Sequence, residues 1–166
     1  MLVDSFRFLP RSFRPMFESV VADDASTVWA AFEPRLAQAT LALLTSAGLY
    51  LKDSQPAFDV ERERREPAWG DPSFRVIPAD TKPDEVAMAH LHVNDDDVLA
   101  DPEITLPLRG LSDLAGDGLV GAAAPRHYSV MGFQEKGLRG WRAETAPAIV
   151  ERLRDDRVDG LILAPA

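Results

Sequence analysis

The 166-residue chain carries 27 acidic and 18 basic side chains, a net charge of −9, 46% hydrophobic residues and no cysteine. That length and apolar content fit one domain with a sizeable core, while the acidic balance excludes the phosphate-neutralising surface of a nucleic-acid binder and argues against an anionic membrane surface. No disulfide forms within a cysteine-free chain. No targeting pattern is visible near the start, no apolar run approaches the ~20 residues of a membrane span, and a cytoplasmic protein is the default expectation.

Residues 1–37 read as an irregular N-terminal arm. Pro10, Pro15 and Pro34 interrupt any regular pattern, and Phe6, Phe8, Phe13, Phe17, Trp29 and Phe32 supply anchors that would pack the arm on a core or hold a partner. Residues 39–46 form an apolar run that predicts a first buried strand, ended by a turn at Ala47-Gly48. Residues 53–72 are polar and proline-bounded, a loop long enough to have work to do such as covering a site. Second and third strands are predicted at 73–78 and 86–93. Leu108, Leu111 and Leu114 recur at helical spacing behind Pro107, with Gly116 or Gly118 as the stop. Leu119-Val120-Gly121 is a short apolar piece, and a last helical region spans Trp141 to Leu153, with Pro147 forcing a start or a kink. The chain closes on Val158 to Ala166, an apolar run after Gly160 that predicts a buried parallel strand. This alternation of strands and helices predicts a three-layer, Rossmann-like α/β domain over 38–166 with a mostly parallel sheet.

Several groups along this frame could carry chemistry. His90 and His92 are two apart in a predicted strand and would share a face, and with His127 they could bind zinc or iron if they converged. Separate hydrogen-bonded histidines at strand ends are the plainer reading, and no metal is expected. Asp95, Asp96, Asp97, Asp101 and Glu103 make an acidic loop that lacks the glycine and closing glutamate of a calcium site. Asp71 and Arg75 lie close enough in sequence to pair, either as a clamp for a carboxylate or as a structural ion pair. His127-Tyr128-Ser129-Val130-Met131-Gly132 packs an acid/base candidate, a phenol and a hydroxyl together. No phosphate-binding glycine loop occurs, so nucleotide cofactors have no support.

The order of these motifs resembles the selenoprotein B family, subunits of the glycine, sarcosine, betaine and D-proline reductases. The likeness runs through Thr45 to Lys52, Pro56 to Asp59, Gly70 to Pro78, His90 and His92, Asp101, Pro107, Leu111 and Leu114, Gly118 to Gly121, His127 to Gly132 and Asp155 to Leu163. It covers roughly residues 38–166. Two positions depart from the pattern: Glu103 stands where Asn is expected and Phe74 where Tyr is common.

The resemblance implies a subunit of a selenium-dependent reductase that cleaves a C–N bond in an amino acid or amine, in amino-acid catabolism. It implies a partner subunit bearing a pyruvoyl group that captures the amine, and a selenocysteine just past Ala166, so that the 166 residues would be truncated at a UGA codon. A selenol is more acidic than a thiol and stays anionic at neutral pH, which suits a nucleophile. Carried over position by position, His127 and Tyr128 become the catalytic candidates, and Asp71, Arg75, His90, His92 and Asp101 the substrate-binding ones. Arg75 would hold a substrate carboxylate and His127 would protonate the leaving amine. The 166 residues hold no thiol or selenol of their own. A non-catalytic small-ligand or protein-binding domain on the same scaffold is therefore the alternative, and a histidine-dependent metalloenzyme the third.

Overall fold

The computed structural model describes residues 11, 30–66, 69–91, 93–132, 134 and 138–166. The chain divides into the units Met1–Ala31 and Phe32–Ala166, and residues 1–10 and 12–29 of the expected arm lie outside the described residues. The larger unit is an α/β fold with a mixed, mostly parallel sheet, as the alternating pattern predicts.

Strand β1 (Thr40–Thr45) is the centre of that sheet. Along one edge it pairs in parallel first with β5 (Ala122–Ala123) and then with β6 (Arg126–Val130); along the other it pairs in parallel with β7 (Gly160–Ala164). Strand β3 (Phe74–Pro78) lies beyond β6 and runs antiparallel to it. The expected third strand contracts to β4 (Val86–Met88), which pairs with β2 (Leu49–Leu51) in a separate two-stranded sheet. Among the described residues the unit also holds the α-helices α1 (Val60–Arg65), α2 (Asp95–Ala100), α3 (Leu108–Gly116), α4 (Leu138–Gly140) and α5 (Ala146–Asp155), the last two joined by a π turn over Trp141–Thr145, besides three short 3-10 turns.

Side-chain alternation along the strands builds an apolar cluster on each side of the sheet. Leu41, Leu43 and Ile77 pack with Val98 of α2 and with Leu108 and Leu111 of α3. Leu44, Phe74, Val76, Tyr128 and Val130 face the other way, against Ile149 and Leu153 of α5. Ile149 and Leu153 are one helical turn apart, so a single stripe of α5 meets the sheet. Pro147 has no N–H to continue an α-helical ladder. The turn before it widens instead, with the Ala146 N–H reaching back to the Trp141 carbonyl. Arg126, opening β6, grips Asp156, just past α5, with Nε to Oδ2 at 2.7 Å and Nη2 to Oδ1 at 2.8 Å.

Two expectations are corrected. Most of the cluster His127 to Gly132 belongs to an inner strand, Arg126–Val130, lying between β1 and β3. The closing strand β7, read as buried, is bordered only by β1 among the described residues, and Leu161, Ile162 and Leu163 are 36%, 43% and 65% exposed. An apolar run of this kind usually has sheet on both edges and cover on both faces; here one edge and parts of both faces are open.

Candidate functional site

In open α/β sheets ligands gather at the carboxyl ends of the parallel strands, and the ends of β1, β6 and β7 are joined here by short, specific contacts. Leaving β1, the chain crosses to β6: Ala47 bridges Met131, and the Gly48 N–H donates to the Val130 carbonyl at 3.1 Å. Gly48 has φ +67°, and a Cβ there would lie 2.3 Å from the Ala89 carbonyl oxygen and 2.8 Å from the Met131 sulfur. Only glycine combines that conformation with that approach. The Ala89 N–H in turn donates to the Gly48 carbonyl at 3.0 Å, which anchors the chain just before His90. Ser46 lies at the same edge, its Oγ accepting the Ala166 N–H at 3.0 Å.

Asp71 and Arg75 come together through Ser73 rather than as a direct pair. The Asp71 carboxylate accepts the Asp59 N–H at 2.9 Å, the Ser73 N–H at 2.9 Å and the Ser73 hydroxyl at 2.5 Å. Arg75 is buried and donates to the carbonyls of Pro56 (2.8 Å), Ala57 (3.2 Å) and Phe74 (3.0 Å) and to the Ser73 hydroxyl (2.9 Å), with its guanidinium carbon 4.1 Å from the centre of the Phe58 ring. Burial holds the guanidinium below the usual arginine range, and nearby Asp71 pulls the other way. The expected long loop is thus clasped onto β3, and it contains α1, whose charge run is a mostly exposed helix that buries only Glu63. Gln134 Nε2 donates to the carbonyls of Asp71 (2.9 Å) and Met131 (3.0 Å), and the Thr145 hydroxyl to the carbonyl of Pro72. These bonds pin the Asp71 segment to the end of β6.

His127 and Tyr128 point to opposite faces of β6. His127 is 1% exposed, and its Nδ1 accepts the Leu43 N–H at 3.0 Å. The bond fills a gap in the ladder. On this edge of β1 the Leu41 carbonyl accepts from Ala124, and pairing with β6 begins only at Leu44, so the imidazole takes the N–H left between. An imidazole with a free lone pair on Nδ1 is neutral. Burial pushes its pKa down to about 4, against the opposing pull of Asp156. Tyr128 is fully buried with its ring 6.3 Å from that of Phe74, and its hydroxyl has no hydrogen-bond partner among the described residues. Burial raises its pKa as well. Tyr128→Phe is therefore expected to leave folding stability unchanged or raise it by up to about 1 kcal/mol, since an unpaired buried hydroxyl is removed with its shape kept; urea unfolding measures it, and a loss above that size would reveal a partner for the hydroxyl.

The remaining candidates are dispersed. His90 follows the end of β4, half-buried beside the Gly48 turn. His92 lies outside the described residues. Asp101 sits between α2 and α3, where its carboxylate accepts the Glu103 N–H at 3.3 Å. Glu103 caps α3 by accepting the N–H groups of Arg109 (2.8 Å) and Gly110 (2.9 Å), the favoured place for a carboxylate on a helix. Among the described residues no three His, Asp or Glu side chains are grouped as metal ligands, and no helix is long and apolar enough to cross a membrane. Ser46, Ser73 and Gln134 carry much of the edge's polar bonding and were not singled out from the sequence; the Ser46-Ala47-Gly48 run after an apolar strand was their one visible signal.

Comparison with known proteins gives one relative to set beside this geometry. The chain is 31% identical over 139 residues to the D-proline reductase subunit gamma of Acetoanaerobium sticklandii, across 82% of this chain and 52% of that protein. The chain thus spans about half the length of the curated relative it matches. No family model matches, and no solved structure matches.

Proposed function

We propose that the chain belongs to the selenoprotein B family of the glycine, sarcosine, betaine and D-proline reductases and is part of a reductase subunit acting in reductive C–N cleavage of an amino acid or amine. The observation that carries this reading is the identity to a D-proline reductase subunit across most of the chain. The sheet supports it by converging β1, β6 and β7 on one carboxyl edge, where α/β enzymes place reacting groups. A selenocysteine following Ala166, with a pyruvoyl group on a partner subunit, would supply the nucleophile and the capture of the amine, with a dithiol giving up two electrons to become a disulfide.

Within that reading this chain's residues divide by position. His90 follows Ala89, whose N–H is bonded to the Gly48 turn, and it is assigned to proton transfer or substrate contact, as is His92. Asp71 and Arg75 hold the 56–59 segment, and among the described residues one Nη2 hydrogen of Arg75 is left for a carboxylate. His127 and Tyr128 act through the sheet, His127 by holding β1 to β6. Asp101 and Glu103 fix the α2–α3 corner.

The exposed apolar strand β7 favours a second reading, a domain on the same scaffold whose role is to bind another polypeptide. The nucleotide sequence after the Ala166 codon separates the two. A UGA codon followed by an open frame is expected, together with selenium in the protein isolated from its native cells. A UAA or UAG codon at that place would remove the reductive role and leave the binding one.

A further inference from the structure

We infer that Gln134 and Trp141 form a recognition pair for an amino acid that carries an N–H, the Gln134 side-chain carbonyl accepting from the amine and the Trp141 indole donating to the carboxylate. The inference deepens the reductase reading above and rests on it for the choice of ligand. Both side chains are half-buried, and each turns one polar atom inward. Gln134 Nε2 donates to the carbonyls of Asp71 at 2.9 Å and Met131 at 3.0 Å. Both amide hydrogens are spent there, so the plane of the amide is fixed and its oxygen faces a set direction. That oxygen, Oε1, is buried and has no partner among the described residues. Trp141 Nε1 is the reverse case, a buried N–H with no acceptor among the described residues, and an indole nitrogen can only donate. Buried polar groups are nearly always paired, so an orphan acceptor and an orphan donor in one neighbourhood point to a ligand that offers both.

One short segment joins the two groups. Gln134 is bonded to the Asp71 carbonyl at its start. The next carbonyl, that of Pro72, accepts the Thr145 hydroxyl, and a Cβ on Gly140, the residue before Trp141, would lie 3.8 Å from the Pro72 Cβ. Trp141 itself packs in the apolar cluster that holds Phe74. Asp71 to Phe74 span at most about 11 Å, a gap of the order that an α-amino acid closes with one hydrogen bond of about 3 Å at each end. Arg75 leaves β3 on the opposite face from Phe74, so its remaining hydrogen belongs to the other side of the strand. Trp141 opens the π turn Trp141–Thr145, and single π turns within α-helices recur at functional sites. A protonated primary or secondary amine has an N–H to give, whereas a quaternary ammonium has none. The pair therefore fits glycine, sarcosine or D-proline and leaves betaine facing a carbonyl that it cannot satisfy.

Glycine added to the nitrogen-15-labelled 166-residue chain is expected to move the NMR signals of the Trp141 indole N–H and the Gln134 side-chain amide, with betaine at the same concentration moving neither. Trp141→Phe keeps an aromatic ring in the cluster and removes only the donor. It is expected to raise the apparent Kd for glycine about tenfold, the size of one hydrogen bond to a charged group, with the urea midpoint unchanged or raised. In the assembled reductase the same variant should raise KM for the amino-acid substrate about tenfold at unchanged kcat, the mark of lost ground-state binding. Signals that glycine leaves unmoved would overturn the pair and make buried water the partner of both atoms. Equal shifts with betaine would overturn the N–H requirement assigned to Gln134. A lowered urea midpoint in Trp141→Phe with the glycine Kd unmoved would make the indole N–H a structural donor and overturn its role in binding. A wild-type complex free of selenium would instead defeat the reductase reading, while the glycine shifts, which need no turnover, would still decide for or against the pair.

Discussion

Replacing Arg75 by methionine is expected to destabilise the fold by about 3 kcal/mol, with arginine-to-lysine recovering less than half of the loss. The guanidinium ties three backbone carbonyls and the Ser73 hydroxyl from a buried position and stacks on Phe58. Methionine keeps the apolar stem but strands the carbonyls of Pro56, Ala57 and Phe74, and each unpaired buried polar group costs about 1–3 kcal/mol, less when the segment can open to water. A lysine ammonium is a compact charge without the planar fork, so it cannot reach Pro56, Ala57 and Ser73 together. The loss should appear as a lower urea midpoint and as faster proteolysis within residues 53–66, which the clasp holds to β3. A variant of unchanged stability with a raised KM for amino-acid substrate in the assembled reductase would mean that the guanidinium serves substrate first, against the bonds it makes here. Asp71→Asn tests the same clasp from the other side: it keeps one acceptor oxygen of the two used and should fall between wild type and the methionine variant.

The same clasp shows where sequence reasoning reaches and where it stops. The spacing of Asp71 and Arg75 announces that they meet, but not that Ser73 lies between them, since a short hydroxyl two residues from each leaves no periodic signal. Strand β1 is legible because a central parallel strand is apolar on both faces. Strand β6 is just as interior yet reads only as a polar-aromatic cluster, because His127, Tyr128 and Ser129 occupy its middle. Their polarity is absorbed in the fold by a ladder gap that only the pairing of β1 reveals. Strand β3 is found in its place, but its direction is set by the excursion before it. The chain leaves β1 through β2 and returns by the 53–72 loop to the carboxyl edge, where Gln134 holds Asp71. Starting from that edge, β3 can only run back antiparallel to β6. The open edge of β7 could not be read from composition, because an apolar run looks the same whether or not a neighbour lies beside it.

His127 is expected to make stability pH-dependent in a window that ordinary surface histidines do not show. Its Nδ1 lone pair takes the Leu43 N–H, so the native fold needs the neutral ring. The native pKa is pushed down to about 4 by burial, from 6.5 for an unperturbed histidine. The unfolded chain therefore binds a proton that the native chain refuses over that interval, and stability falls as pH falls through it. The contribution is fully present above pH 6.5, declines between 6.5 and about 4, and is level below that; at 1.36 kcal/mol per unit of pKa difference it amounts to about 3 kcal/mol. Carboxylates titrate near the lower end of the same range, so the wild-type curve alone does not isolate the histidine. His127→Asn does: its side-chain oxygen can accept the Leu43 N–H and carries no charge at any pH. The difference in urea-derived stability between wild type and this variant should shrink or reverse by about 3 kcal/mol from pH 7 to pH 4. His127→Leu should lose the bond as well and fall below the asparagine variant at pH 7 by about 1–3 kcal/mol, the cost of an orphaned buried N–H. Parallel pH curves for wild type and His127→Asn would show that the ring titrates in the fold as it does in water, and the ladder bond to Leu43 would then not be what holds β1 against β6.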